Sequence, residues 1–407
     1  MADVVAVLVP ARDEEAGIAR TVQGLRAAFP GARVIVADDG SRDRTAVAAA
    51  RAGAEVLRLP ARGKGQALTL AERAAPNGRI VLADADLDGD LGALAAADGD
   101  LAVAVFAERA GGGFGIAKGA GRALVRVLSG FDPRAPLSGQ RSLSQAARDA
   151  CFPLAAGFGC EVRMTIDAVR AGLRVCELEV PLRHRATGRD ARGFAHRARQ
   201  LLDALLACGP TAVNHRGLRL PLIGWLFTLR GPAAVRAIAA IGLADDLWSG
   251  EARGFRGHLR ARRSTGVLKL VGIPAVALAA TRSLRQAAVV SLAANVLNQL
   301  DTRPGRALKA FLLASAAIRG RTLSYGATAV LLAPYDLREM TMLGDAGSNA
   351  LGAMLGFGSV MRSRGRGEWL AIAGLATLTV VGEGRSLGEL IERTPALREL
   401  DALGRQP

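Results

Sequence analysis

Acidic residues in this chain gather at a few places where their spacing could do chemistry. Asp38-Asp39-Gly40-Ser41 and Asp84-Ala85-Asp86 stand near the front, and Asp245-Asp246, Asp301 and Asp345 near the back. In a chain of net charge +16 such clusters are scarce enough to suggest metal and phosphate chemistry. The i, i+2 spacing of Asp84 and Asp86 points both side chains the same way along an extended segment. Two like charges so held are unfavourable unless a cation neutralises them. Mg2+ or Mn2+ bridging a nucleotide diphosphate would do so, and would stabilise the diphosphate as it departs. Asp38 and Asp39 follow a strand and could accept from a base N–H or a ribose hydroxyl; for either pair alone a solvated loop or a helix cap is the competing reading. In the back half Asn295, Asn298 and Asp301 recur at three-residue steps and share one helix face, a polar wall in an otherwise apolar bundle. Carboxylates at the edges of apolar segments are costly and usually functional, with helix capping as the alternative.

These groups must be placed by two kinds of element. Val-rich runs at Val4 to Val9, Arg33 to Ala37, Glu55 to Leu59 and Arg79 to Ala83 alternate with helical stretches at Ile18 to Phe29, Thr45 to Ala52 and Gly65 to Ala75. That alternation predicts an α/β domain, a mostly parallel sheet with helices on both faces and ligands at the carboxyl ends of its strands. A basic amphipathic stretch, Arg192 to Ala207, marks the transition, and the expected domains are 1–205 and 206–407. Beyond it come apolar segments of mostly 12 to 16 residues, from Leu218–Leu229 to Trp369–Gly382, short of the roughly 20 that span a bilayer. They fit an all-α domain. Their density and the Arg-rich loops between them, at Arg253 to Arg263 and Arg362 to Arg366, favour embedding in a membrane over a soluble bundle.

Half the residues are hydrophobic and only 4% aromatic, which excludes disorder and permits helices packed through small residues. No zinc-ligand spacing or aromatic-basic RNA motif accompanies the charge, so nucleic acid is not an expected partner. An anionic membrane is, with a solvated Arg-biased surface as the alternative. Cys151, Cys160, Cys176 and Cys208 lack Cys-x-x-Cys spacing and read as reduced structural thiols. The start, Met1-Ala2-Asp3-Val4-Val5, has no basic region ahead of its apolar run and reads as a first strand, not a signal peptide.

The front half resembles the family 2 glycosyltransferases, particularly the dolichol-phosphate mannose synthase group, over about residues 4–200. The resemblance is carried by Val9-Pro10-Ala11-Arg12-Asp13-Glu14-Glu15, Val36 to Thr45 around Asp38-Asp39-Gly40-Ser41, Gly63-Lys64-Gly65 and Asp84-Ala85-Asp86. It implies a nucleotide-diphospho-sugar transferase fold of the GT-A type. By it Pro10, Asp13, Glu15 and Asp39 hold the nucleotide, Lys64 approaches the donor diphosphate, and Asp84 with Asp86 holds the metal. Ser138-Gly139-Gln140-Arg141 and Gly157-Phe158-Gly159-Cys160-Glu161 look like the group's acceptor-side segments. Gln140 and Arg141 are candidates to grip an acceptor phosphate, and Glu161 is a possible base or merely the partner of a neighbouring Arg. Arg183-His184-Arg185 and Arg189 suit a lipid phosphate or form a solvated loop, and Gly111 to Gly115 reads as a flexible acceptor or lid loop rather than a dinucleotide fingerprint.

The back half resembles the polyprenyl-phosphate N-acetylhexosamine-1-phosphate transferases, which include the phospho-N-acetylmuramoyl-pentapeptide transferase. Asn214 to Gly217, Gly242 to Asp246, Ala294 to Asp301 and Gly344 to Gly352 carry it. The resemblance implies that Asp245, Asp246 and Asp301 act at a lipid phosphate, that Asp345 binds Mg2+, and that Asn295 and Asn298 contact substrate. Two features depart from that family: Asp301 continues as Thr302-Arg303-Pro304-Gly305, and no His follows His258.

The expectation is a glycosyltransferase at the cell membrane, its N-terminal domain cytoplasmic, moving a sugar from a UDP- or GDP-sugar to a polyprenyl phosphate or lipid-linked acceptor for envelope glycan synthesis. The back half would add sugar-1-phosphate transferase activity. A non-catalytic lipid-binding scaffold and a sugar nucleotidyltransferase are the alternatives; the lack of a Gly-rich loop straight after the first strand argues against the latter.

Overall fold

Alternation along β1 (Val4–Ala11) builds the first layer of structure, because successive side chains leave a strand on opposite faces. Val7, Val9 and Ala11 pack on one side with Ile18, Val22 and Leu25 of α1 (Ile18–Ala28). Ala6 and Leu8 pack on the other with Ala67, Leu68 and Ala71 of α3 (Lys64–Glu72). Both faces of the strand are therefore dry, which is why it reads as a near-continuous apolar run. Each large aliphatic side chain so buried contributes about 1.5–3 kcal/mol.

The computed structural model describes residues 4–87, 89, 91–94, 96–106, 116–181, 191–248, 265–318, 323–362 and 365–405. They form two units, Met1–Arg219 and Leu220–Pro407. In the first, β2 (Arg33–Asp39), α2 (Thr45–Arg51), β3 (Glu55–Leu59), β4 (Arg79–Leu82), β5 (Leu101–Phe106), α4 (Ile116–Ser129), β6 (Arg141–Leu143), α5 (Gln145–Cys151), α6 (Cys160–Arg170) and β7 (Val175–Val180) complete a seven-stranded sheet of order β3-β2-β1-β4-β6-β5-β7. Every pairing is parallel except those of β6, which runs against β4 and β5. The expected mostly parallel α/β layout is what the unit adopts. Helix α7 (Ala191–Cys208) lies wholly within the first unit, with Ala204 and Ala207 buried, so the sequence-placed limit at 205/206 cuts through its last turn.

The second unit is helical: α8 (Ala233–Trp248), α9 (Thr265–Thr281), α10 (Leu284–Leu300), α11 (Arg306–Ile318), α12 (Leu323–Leu337), α13 (Gly344–Val360), α14 (Arg366–Arg385), α15 (Leu387–Arg393) and α16 (Pro395–Ala402). Its centre is α13, whose Gly352 and Gly356 lie so close to Ala293, Ala294 and Val290 of α10 that an added Cβ would stand 2.4–2.6 Å from them. Small residues thus let the backbones approach, while large apolar side chains such as Trp248, Leu284, Trp369 and Leu370 stay exposed. Among the described residues no single helix is long and apolar enough to cross a membrane; only the pair α14 and α15, bent by 86°, meets that test by length and composition. A 17-residue helix such as α13 is about 25 Å long, short of a bilayer core of about 30 Å. Embedding of the whole helical domain in a membrane is therefore not what its helix lengths support.

Candidate active site

The carboxyl edge of the sheet gathers the front-half motifs, and most of their polar groups hold one another. Pro10 and Ala11 end β1 opposite Ala37 and Asp38 of β2. Asp13, in the left-handed region at φ 56°, accepts from the backbone N–H of Arg42 at 2.7 Å, and its own N–H donates to Ser41 Oγ at 3.0 Å. Glu15 pairs with Arg44 Nε at 2.8 Å and accepts from the Arg44 N–H at 3.2 Å. Asp13 and Glu15 thus stitch the two loops together. Asp39, 5% exposed, accepts from the N–H groups of Arg62 (2.6 Å) and Gly63 (2.9 Å). Burial raises its carboxyl above the usual range, while those two donors pull it back. Its visible work is to fix the loop that delivers Lys64.

Lys64 Nζ lies 2.6 Å from Asp84 Oδ1 and 2.7 Å from Glu161 Oε1. Burial would lower its pKa, but the carboxylates of Asp84 and Glu161 outweigh burial and raise it, so the ammonium stays charged. Gln140 Nε2 donates to the other oxygen of Asp84 at 2.8 Å. This closeness needs Gly139, since a Cβ there would stand 2.6 Å from both Asp84 oxygens and from Lys64 Nζ. Glu161, 4% exposed in the first turn of α6, also accepts from Cys160 Sγ at 3.2 Å. Its partner is thus a lysine, not an arginine. Asp86, two residues beyond Asp84, makes no hydrogen bond or ion pair among the described residues.

Arg141 differs from the expectation that it grips an acceptor. It is fully buried, donating to Ser138 O at 2.8 Å, Thr165 Oγ1 at 2.9 Å and Pro136 O at 3.3 Å. Its guanidinium is spent on the loop that carries Gln140. Arg183, Arg185, His184 and Arg189, and the Gly111 to Gly115 loop, lie outside the described residues.

Among the described residues no group of three or more His, Cys, Asp or Glu side chains is placed to hold a metal ion. Asp84 and Asp86 nonetheless suit Mg2+ or Mn2+, because such hard cations are commonly held by one or two carboxylates completed by substrate phosphates and water. Asp86, which no group engages among the described residues, is the free donor of that pair.

In the second unit, Lys269 Nζ lies between Asp245 Oδ2 (2.9 Å) and Asp345 Oδ2 (2.5 Å), and Asn298 Nδ2 donates to Asp345 Oδ1 at 2.6 Å. Asp246 accepts from the N–H groups of Asp345 and Ala346 at 2.9 and 3.0 Å, capping α13. Burial, then the charge of Asp345, pushes the Asp246 carboxyl up to about 7. Burial also raises Asp345 and, together with Asp336, Asp345 and Asp246, raises Asp301. Asn295 donates to Thr379 Oγ1 at 3.3 Å rather than sharing the acid cluster of Asn298. Lys269 thus stands beside Asp345, where the resemblance implies Mg2+. Asn295, Asn298 and Lys269 line a cavity of ≈ 440 Å³ with Leu270, Pro274 and Asn349.

Asp336, accepting from the Gly305 N–H at 2.6 Å, is pushed up by burial to about 6. A carboxyl whose folded pKa exceeds its unfolded value holds a proton the unfolded chain has lost, so its contribution falls as pH rises from about 4 to about 6. Asp336→Asn keeps an acceptor and removes the titration. Its stability relative to the parent should rise across that window, read by urea melts at pH 4.5 and 7; an unchanged difference refutes the assignment.

The model of the family described as glycosyl transferase family 2 matches residues 6–88, which include Pro10, Asp13, Glu15, Asp39, Lys64, Asp84 and Asp86. Glucosyl-3-phosphoglycerate synthase of Mycolicibacterium paratuberculosis is 30% identical over 242 residues, 50% of this chain and 72% of that protein. Protein RfbJ of Shigella flexneri is 38% identical over 61 residues, 15% of this chain and 47% of RfbJ. Among solved structures, glucosyl-3-phosphoglycerate synthase from Mycobacterium tuberculosis with Mn2+, uridine diphosphate and phosphoglyceric acid is 26% identical, covering 51% of this chain and 79% of that one at a TM-score of 0.42. The same enzyme with Mg2+ and uridine diphosphate gives the same identity, coverage and score. The relative matched over half of this chain is a glucosyl-3-phosphoglycerate synthase and not a dolichol-phosphate mannose synthase, and the matched family model ends at residue 88, well before the second unit. Through its first unit the chain belongs to glycosyl transferase family 2 and is a glycosyltransferase.

Proposed function

We propose that the first unit transfers a sugar from a UDP- or GDP-sugar to a small phosphorylated hydroxy acid, with Mn2+ or Mg2+ as cofactor. The observation that carries this reading is the Lys64, Asp84, Gln140 and Glu161 cluster beside the unengaged Asp86, at the sheet edge where α/β proteins bind ligands. Asp84 and Asp86 would hold the metal, which when bound offsets the negative charge that builds on the departing diphosphate. Lys64 is the cation already in the site, able to turn from Asp84 to a donor phosphate while Glu161 keeps it anchored. Gln140 fixes the plane of the Asp84 carboxylate. The acceptor class is supported by the relative's glucosyl-3-phosphoglycerate synthase activity and by a net charge of +16, which draws anionic substrates.

A second reading keeps the polyprenyl-phosphate acceptor and a place on the cytoplasmic face of the cell membrane. It is favoured by the exposed apolar side chains of the second unit, Trp248, Leu284, Trp369, Leu370 and Val380 among them. Full-length protein with Mn2+ and radiolabelled UDP- and GDP-sugars, offered 3-phosphoglycerate or polyprenyl phosphate in vesicles, separates the two. Label in an aqueous anion supports the first reading and label in the organic extract the second. Released UDP or GDP marks glycosyl transfer, UMP would assign sugar-1-phosphate transfer to the second unit, and pyrophosphate released when UTP and a sugar 1-phosphate are offered instead would mean nucleotidyl transfer. Labelled acceptor in neither phase overturns both.

A further inference from the structure

Helix α7 carries none of the recognised motifs, yet one of its side chains reaches the turn that sets up the transfer site. Asp203 Oδ2 accepts from the Phe158 N–H at 3.0 Å. Phe158 is the middle of the Gly157–Gly159 turn, which leads directly into α6 and Glu161. Gly157 sits at φ +65°, and a Cβ there would stand 2.3 Å from that same carboxylate oxygen. At Gly159 a Cβ would stand 2.3 Å from Asp203 O and 2.5 Å from Ala207 Cβ, so the helix backbone itself is pressed onto the turn. The far end of α7 is tied to α6 by Arg163, which donates to Ala207 O at 3.0 Å and pairs with Asp167 at 2.7 Å. On the other side of the turn is the start of α3, where a Cβ on Gly65 would stand 1.9 Å from Ala155 O.

We infer that Asp203 is a positioning residue of the glycosyl-transfer site, setting Lys64 through the Gly157–Gly159 turn and Glu161. The path is continuous: Asp203 to the Phe158 N–H, the turn to the first helical turn of α6, Glu161 to Lys64 at 2.7 Å, and Lys64 to Asp84 at 2.6 Å. A carboxylate on the outer helix thereby fixes where the site's ammonium stands without touching substrate. The inference rests on the proposed role of Lys64 toward the donor diphosphate.

The test is calorimetric binding of UDP with Mn2+ to the full-length chain. Asp203→Ala is expected to weaken UDP about tenfold, the lower end of what supporting residues around a site are worth. In a Glu161→Ala background the same change is expected to cost less than twofold, because the link to Lys64 is already cut. Asp203→Asn, whose carboxamide oxygen still accepts from Phe158, is expected to stay within about twofold of the parent. Equal losses with and without Glu161, or Asp203→Asn as weak as Asp203→Ala, overturn the inference, since a contact that only supports the fold would give additive costs. Should Asp203→Ala not fold, Asp203→Glu keeps the charge but pushes on Gly157, and its loss must likewise vanish without Glu161. If Lys64→Met leaves UDP affinity unchanged, the reading of the site fails instead, whatever the Asp203 cycle gives.

Discussion

Asp86→Ala is expected to lower metal-dependent sugar transfer by about 10²–10³, the cost of removing one group that stabilises developing charge. Its carboxylate has no partner among the described residues, so thermal stability should change by no more than about 0.5 kcal/mol. The discriminating measurement is initial rate against Mn2+ concentration. A variant whose saturated rate recovers at high Mn2+ has lost affinity only, whereas a flat, low rate means the charge of Asp86 is needed during transfer. Parental rates at all metal concentrations would remove Asp86 from the site.

Lys64→Met should have the largest effect on stability. It leaves Asp84 and the nearly inaccessible Glu161 without the ammonium between them, and breaking a buried pair by removing one partner typically costs about 3–5 kcal/mol. In the parent the lysine pKa is raised on folding, so this stabilisation is fully present below the ordinary lysine value and is lost only as pH climbs beyond it. Assays between pH 6 and 9 should therefore show no titration of Lys64. Adding Glu161→Gln should restore part of the loss, read by urea melts at neutral pH. No rescue would mean the three groups are not coupled.

The motifs that end β2 and β4 were legible because strand, turn and acid follow one another within a few residues. Asp39 and Asp84 stand where that order puts them, at the carboxyl edge. Arg141 was misjudged for a physical reason: Gln140 and Arg141 are adjacent, but β6 is a three-residue strand with no periodicity to read, and its alternation sends one side chain to Asp84 and the other into the core. Lys269 is not legible in the sequence, because nothing near it foretells carboxylates from α8 and α13. Asp203 was invisible for the same cause. Apolar density favours a membrane in the sequence, but it does not reveal helix length: among the described residues no single helix is long and apolar enough to span a bilayer, although many large apolar side chains stay exposed.

The reversed direction of β6 has a consequence for how this chain can change. In an all-parallel sheet each strand offers the residues that follow it to the ligand edge; β6 offers the residues that precede it, Ser138 to Gln140. One residue inserted there would exchange faces, bringing a guanidinium up to Asp84 and sending a carboxamide among carbonyls it cannot satisfy. That short stretch is thus a reading frame in three dimensions, open to substitution but closed to a change of length by a single residue.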